Sequence, residues 1–205
     1  MNQPEPAQAS VPNSVLDEVD LARAAEYDLL AVLLARAPDR ALLQALAQLE
    51  GGSSPLGDAH AALAASARNA DPTAIEREFF QLFVGLGQGE LLPYGSFYLT
   101  GFLHERPLAR LRADLTRLGI ERNEALREPE DHIALLCEVM AGLAGGRFDT
   151  DPSEEVRFFD RHLKPWASRF FADLAAAPSA AFYRAVAACG AALMQVEAEA
   201  FTMAA

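Results

Sequence analysis

The chain has 205 residues, 51% of them apolar, and its 29 acidic residues outnumber 17 basic ones to give a formal net charge of −12. This length is enough for one ordinary domain with a sizeable core, and the scattered basic residues exclude nucleic acid as a partner, because phosphate binding needs a positive surface. The apolar residues are largely alanine and leucine, which favour helix over strand. We therefore predict an all-α fold, a single-domain multi-helix bundle.

Residues 1–13 are rich in Pro, Gln, Ala and Ser, and we expect a disordered lead-in there, followed by one helical domain over residues 14–205. The lead-in lacks the basic residues and the apolar run of a secretory signal. No stretch reaches the roughly 18 consecutive apolar residues that a membrane span needs. We expect a cytoplasmic protein without stable membrane insertion.

Apolar residues at steps of three and four predict three helices at the start of this domain. The first begins near Leu16 and ends at Pro38. The second is short, and the glycine and serine run that starts at Gly51 ends it. An alanine-rich third helix fits residues 57–69.

The fourth helix has a defined start and a defined end. Asp71 and Thr73 compete as N-caps around Pro72, and Thr73 with Glu76 has the spacing of a capping box. The helix must stop at Gly85, because glycine then recurs at alternate positions. Its predicted inner face comprises Ile75, Phe79, Leu82 and Phe83.

The middle of the chain predicts two more helical stretches. Residues 96–118 have the apolar periodicity of a helix, and Pro107 predicts a break within it. Pro129 suits a first helical position, and the acidic residues after it suit a first turn. We therefore predict a helix over residues 129–144.

The last part of the chain predicts a kinked pair of helices and a long final one. One apolar face runs from Phe159 to Leu174 straight through Pro165, as in two helices that keep one face inward across a kink. The final helix opens at Pro178. Its predicted inner face comprises Phe182, Val186, Cys189, Leu193 and Val196. Cys137 and Cys189 both fall on apolar stripes, so we expect buried, reduced thiols.

Motifs for metal and nucleophilic chemistry are missing from the sequence. None of the four histidines follows a glutamate by three residues, and neither H-E-x-x-H nor paired C-x-x-C occurs. Gly85, Gly87 and Gly89 invite comparison with a phosphate loop, but they follow a helix and lack the Lys and Ser/Thr of that motif. We expect no catalytic site, no metal and no cofactor.

Two segments stand out as candidate surface sites. Residues 91–99 form an apolar and aromatic run where loop chemistry predicts surface, which suits either a peptide-binding patch or a loop packed onto the core. Residues 128–132 bring carboxylates and an imidazole to one helix tip, which suits either a site for a cationic group or a well-capped helix start.

Five motifs follow one another over about residues 70–175: FFQLFVG at residues 79–85, LPYGSFY at 92–98, EPEDH at 128–132, FDRHLKPW at 159–166 and RFFAD at 169–173. In their order and spacing they resemble the TorD/DmsD family of redox-enzyme maturation chaperones, relatives of NarJ. Several relatives have tryptophan where this chain has Phe79, Tyr94 and Tyr98, which implies a different client signal or a client without one.

The resemblance implies an all-helical, non-enzymatic chaperone, monomeric or a helix-swapped homodimer. Its partner would be the catalytic-subunit precursor of a molybdopterin oxidoreductase, bound through a twin-arginine signal peptide and held for cofactor insertion before export. It also raises guanine nucleotide and the molybdenum cofactor as ligands. The client-binding residues carried over by motif are Phe79, Leu82, Phe83, Pro93, Tyr94, Ser96, Tyr98, Glu128, Asp131 and His132.

The residue patterns leave two alternatives to this function open. One is a GTP-binding or GTP-hydrolysing accessory enzyme built on the glycine loop and the tip at Asp131 and His132. The other is a helical dimerisation scaffold whose interface is the aromatic loop. The sequence does not decide which enzyme is the client: a dimethyl sulfoxide or trimethylamine N-oxide reductase, a formate dehydrogenase and related enzymes are all compatible with it.

Overall fold

The computed structural model describes residues 16–121 and 128–203, so the predicted lead-in at 1–13 lies outside the described residues. The described part contains helices and no strand, which confirms the all-α prediction. Its α-helices are α1 Glu18–Ala35, α2 Arg40–Leu46, α3 Pro55–Arg68, α4 Pro72–Phe79, α5 Gly95–Thr100, α6 Arg106–Arg117, α7 Ile133–Ala144, α8 Ser153–His162, α9 Ala167–Ala176 and α10 Phe182–Met203.

The first four helices each begin at a short polar residue. Its side chain accepts a hydrogen bond from a backbone amide that has no partner within the helix. These N-cap residues are Asp17, Asp39, Ser54 and Asp71. For α4 the cap is Asp71, which accepts the Thr73 amide, with Pro72 at the first helical position. The predicted start near residue 72 is confirmed, and the predicted capping box of Thr73 and Glu76 is wrong because Asp71 already caps the helix.

A π-helical turn, Phe80–Val84, extends α4 and ends at Gly85. Gly85 has a φ of 63°, and a Cβ there would lie 2.0 Å from the Gln88 carbonyl oxygen, so only glycine fits this turn. The chain then folds back, and the Leu91 amide donates to the Leu82 carbonyl at 2.9 Å. The glycine series thus lets the loop lie against the π-helical turn.

The break predicted at Pro107 is present, because α5 and α6 are separate helices and Pro107 lies in the first turn of α6. The predicted start of α7 at Pro129 is wrong. This helix begins at Ile133 with His132 as its N-cap. Pro129, Glu130 and Asp131 form a turn instead, since the Asp131 carbonyl accepts a hydrogen bond from the amide of Gly95, the first residue of α5, and not from an amide further along α7.

The predicted kink at Pro165 is confirmed, because α8 ends at His162 and α9 begins at Ala167. The apolar face that crosses the kink is buried throughout and comprises Phe159, Leu163, Trp166, Phe170 and Leu174. On α10 one predicted inward residue is wrong: Val196 is 41% exposed, whereas its neighbour Glu197 is fully buried.

The buried side chains form one cluster in which α7 packs against α1, and α10 packs against α3 and α9. A Cβ at Gly190 would lie 2.1 Å from the Phe171 ring, so glycine there lets α9 and α10 approach closely. Cys137 and Cys189 are free and buried, as predicted. Among the described helices, none is long and apolar enough to cross a membrane.

Two buried carboxylates tie the ends of α10 to distant parts of the chain. Glu78 on α4 accepts three amides at the start of α10, those of Ala181 and Tyr183 at 2.8 Å and of Phe182 at 3.1 Å. Near the other end, Glu197 accepts two hydrogen bonds from Arg23 at 2.6 Å. Neither contact is local in sequence.

Candidate functional site

The aromatic loop and the acidic turn predicted as separate candidates lie side by side. An isolated antiparallel bridge pairs Tyr94 with His132. In it, the Ile133 amide donates to the Pro93 carbonyl at 2.8 Å, and the Gly95 amide donates to the Asp131 carbonyl at 2.9 Å. Because main-chain bonds hold both segments, their side chains are presented together at the starts of α5 and α7.

Asp131 is a structural link within this site. Asp131 is 3% exposed, and its carboxylate accepts a hydrogen bond from the Ser96 amide at 2.7 Å, which caps α5 from outside that helix. Ser96 is fully buried. The Ser96 hydroxyl and the second Asp131 carboxylate oxygen have no hydrogen-bond partner among the described residues.

Tyr94 and Glu128 form the accessible edge of the site. The Tyr94 hydroxyl donates a short hydrogen bond to the Glu128 carboxylate, and Glu128 is exposed. The Tyr94 ring meets the His132 ring edge to face, with centroids 5.2 Å apart. Partial burial and the Glu128 hydrogen bond raise the pKa of Tyr94, so the hydroxyl stays protonated and able to donate. An aromatic ring and a carboxylate are thus adjacent at the surface.

His132 is buried and neutral at physiological pH. Its Nδ1 accepts the Ala134 amide at 3.1 Å, which caps α7. Burial lowers the pKa of His132 to about 4, against the opposing effects of Glu128 and Asp131. The imidazole therefore acts as a helix cap in this structure, and it is not the cationic or basic group that a hydrolytic site would need.

Tyr98 lies one turn further along α5, against α9. Its hydroxyl donates to Asp173 at 3.0 Å, and the Arg169 guanidinium lies 5.1 Å from the centre of its ring. The ring packs on Trp166 at 5.3 Å. Only 8% of Tyr98 is exposed, so this residue mainly anchors α5 to the core and leaves little surface for contact with a client.

Phe79, Leu82 and Phe83 lie on α4 and the π-helical turn. Leu82 is fully buried, and the two phenylalanine rings lie 5.0 Å apart and pack on Tyr183 of α10. In this conformation they contribute to the core beneath the glycine loop. Their part in client binding, like that of the other predicted site residues, stays a prediction.

Two cavities border the site. The smaller, about 60 Å³, lies beside Asp131 and Trp166. The larger, about 470 Å³, lies between α6 and α7 and reaches Glu128. Of the predicted site residues, Glu128 alone lines the larger cavity. Sequence patterns missed this larger cavity, because the apolar periodicity of residues 96–118, to which Leu115 belongs, predicts only packing in the core. In the part of the chain described, no three His, Cys, Asp or Glu side chains cluster to hold a metal ion.

The fold is that of the redox enzyme maturation proteins. A crystal structure of one such protein from Archaeoglobus fulgidus matches 84% of this chain and 93% of its own, with a TM-score of 0.55 and 16% identity, which shows a shared fold. The family model described as nitrate reductase delta subunit matches residues 49–172, and the chain belongs to this family. The resemblance to TorD and NarJ relatives is thereby confirmed.

Curated relatives are named as chaperones and not as enzymes. The chaperone protein TorD of Aliivibrio fischeri is 28% identical over 106 residues, which cover 47% of this chain and 49% of TorD. That of Vibrio vulnificus is 32% identical over 89 residues, which cover 42% of this chain and 41% of TorD. The match therefore spans about half the length of these relatives.

Proposed function

We propose that this protein is a chaperone for a molybdopterin oxidoreductase subunit, which it binds before the cofactor is inserted. The observation that carries the proposal is the contact of Tyr94 with Glu128 beside the bridge to His132. It puts an aromatic ring next to a surface carboxylate, a pair suited to a peptide that has both apolar and basic residues. The chaperone relatives and the shared fold support the same function.

The client segment in this proposal is a twin-arginine signal peptide. Its arginines would meet Glu128, because a planar guanidinium pairs well with a carboxylate, and its apolar part would contact Tyr94. Asp131 would act indirectly, since its carboxylate is buried and holds the Ser96 amide. Export would follow release of the loaded client. The chaperone would work in the cytoplasm without turnover of its own.

Affinity isolation of the tagged protein from its host, grown anaerobically, tests this function with mass spectrometry as the readout. We expect a molybdopterin oxidoreductase precursor on the wild type and on Glu76→Gln, a matched change at an exposed glutamate of α4. Tyr94→Ala and Glu128→Gln baits of unchanged helicity should lose it. Equal recovery on all four baits would show that Tyr94 and Glu128 do not bind the client. Recovery of no such subunit would contradict the proposed function.

A further inference from the structure

Four arginines lie close together on α6 and α8. Arg110 and Arg117 are two turns apart on α6, and Arg157 and Arg161 are one turn apart on α8, so each pair occupies one face of its helix. All four are exposed. Arg110 and Arg161 line the smaller cavity together, so the two helices bring the pairs side by side. We call these four residues the basic ridge.

Two carboxylates lie beneath the basic ridge and join its helices. Arg161 of α8 lies 3.2 Å from Asp114 of α6, and Arg117 of α6 lies 2.7 Å from Glu154 of α8. Arg157 also pairs with Glu154, at 3.1 Å. The two carboxylate side chains are 11% and 13% exposed, whereas those of the three arginines are 41–58% exposed. The surface that a partner would meet is therefore formed by guanidinium groups.

The basic ridge is positive in a chain whose formal net charge is −12. Asp131 also lines the smaller cavity, but it is 3% exposed, and the four arginines still outnumber it and the two carboxylates beneath them. His162 is bonded to Asp114 at 2.8 Å, and burial lowers its pKa, so it adds no charge at neutral pH. On the same helix, Asp160 and Lys164 pair with each other at 2.6 Å.

The residues outside the described ranges do not change the sign of this charge. Together they hold two acidic and two basic side chains. Glu121 and Glu128, which flank residues 122–127, line the larger cavity between α6 and α7. The arginine of α6 that lines that cavity is Arg112, whereas Arg110 lines the smaller one. The basic ridge therefore lies on a different face of α6 from the two ends of this segment.

Three arginines of the basic ridge have donors without a partner in the part of the chain that the structure describes. Arg157 and Arg161 each form their ion pairs through Nη1 alone, which leaves Nε and Nη2. These two donors form the side of a guanidinium that binds a carboxylate through two parallel hydrogen bonds. Arg110 forms no hydrogen bond or ion pair with a described residue. The basic ridge can therefore bind further carboxylates without losing the contacts that join α6 to α8.

We propose that the basic ridge is a docking surface for an acidic segment of a partner protein, whose carboxylates bind Arg110, Arg157 and Arg161. The strongly acidic remainder of the chain repels such a segment, so charge directs it to this one surface. An anionic membrane fits less well, because each basic residue contributes only about 1 kcal/mol there and the acidic remainder opposes the approach. None of these arginines belongs to the site at Tyr94 and Glu128, so the docking surface does not depend on the proposed client.

Fluorescence anisotropy on the full chain at low salt tests this docking surface. The probe is a labelled peptide rich in glutamate and serine, and the same peptide with glutamine in place of glutamate is the neutral control. Wild type should bind only the glutamate peptide. Arg110→Gln should weaken binding about threefold with an unchanged melting temperature, because this arginine has no partner of its own to lose. Arg77→Gln, at an exposed arginine of α4, removes the same charge and should bind like the wild type.

Three results would overturn the docking surface. Equal weakening by Arg77→Gln would show that binding follows net charge alone. If Arg110→Gln binds like the wild type and Arg157→Gln loses binding only as far as it loses stability, the arginines merely hold α6 against α8. If the glutamate peptide does not bind, the proposal also fails, and sedimentation with phosphatidylserine vesicles that Arg110→Gln abolishes would assign the ridge to a membrane surface instead.

Discussion

The Asp131 carboxylate accepts the Ser96 amide at 2.7 Å, and this hydrogen bond joins the turn before α7 to the first turn of α5. Both residues are buried. The bond belongs to the same junction as the bridge between Tyr94 and His132. The position of the aromatic loop therefore depends on a carboxylate that an incoming peptide does not reach directly.

Replacement of Asp131 should cost stability as well as binding. Asp131→Ala leaves the Ser96 amide buried without an acceptor, and we expect the free energy of unfolding to fall by about 1–3 kcal/mol in urea titrations. Glu128→Ala, at an exposed carboxylate of the same turn, is the control and should unfold like the wild type. An unaltered Asp131→Ala midpoint would show that the bond is dispensable.

The start of α10 should depend on Glu78, which accepts three amides there and is 8% exposed. Glu78→Ala should lower the free energy of unfolding by about 3 kcal/mol, because these amides lose their shared acceptor. Chemical denaturation followed by far-ultraviolet circular dichroism measures this. Glu76→Ala, on the exposed face of α4, should change it little. Similar losses in the two variants would mean that α10 is capped in another way.

The buried pair of Glu197 and Arg23 should be among the most sensitive contacts. Glu197 is fully buried and also accepts the Tyr27 hydroxyl at 3.1 Å. Glu197→Ala removes the one fully buried carboxylate among the three that pair with Arg23, the others being Asp20 and Glu155, and we expect a loss of about 2–3 kcal/mol in thermal or urea unfolding. Glu199→Ala, exposed on the same helix, provides the comparison. A loss below that of Glu199→Ala would contradict the role of the pair.

The free energy of unfolding should decrease as the pH is lowered through the range in which His132 stays neutral in the folded state. Burial lowers the pKa of His132 from 6.5 to about 4, so between these values the unfolded chain binds the proton and the folded chain does not. Acidification from about pH 6.5 to about pH 4 should therefore remove up to about 3 kcal/mol.

His132→Asn isolates this contribution, because asparagine can still cap α7 but does not titrate. Urea unfolding of both proteins across the same pH range gives the difference. Burial also lowers the pKa of His162, with the same sign, but both proteins retain that residue. A wild type and a variant whose stabilities fall in parallel would assign the acid sensitivity to other groups.

Most helices of this protein follow from local sequence. The leucine and phenylalanine spacing of α1 and of the pair α8 and α9 repeats with the helical period, and Asp71 with Pro72 opens α4 through bonds to its own first turn. These features depend on residues within about four positions of one another, which is the reach of a helical hydrogen bond. These helices and the kink at Pro165 can therefore be predicted from the sequence.

The site depends on contacts between residues far apart in the chain. Pro129 and the acids after it satisfy every local rule for a helix start, yet α7 begins at Ile133 because Asp131 bonds across 35 positions to Ser96. The burial of Glu197 and the pairing of Arg112 with Glu130 likewise depend on how helices pack. Periodicity reports which face of a helix is apolar. Only the packed helices decide which carboxylates are covered and where a groove stays open, because burial and electrostatic pairing are properties of neighbours in space.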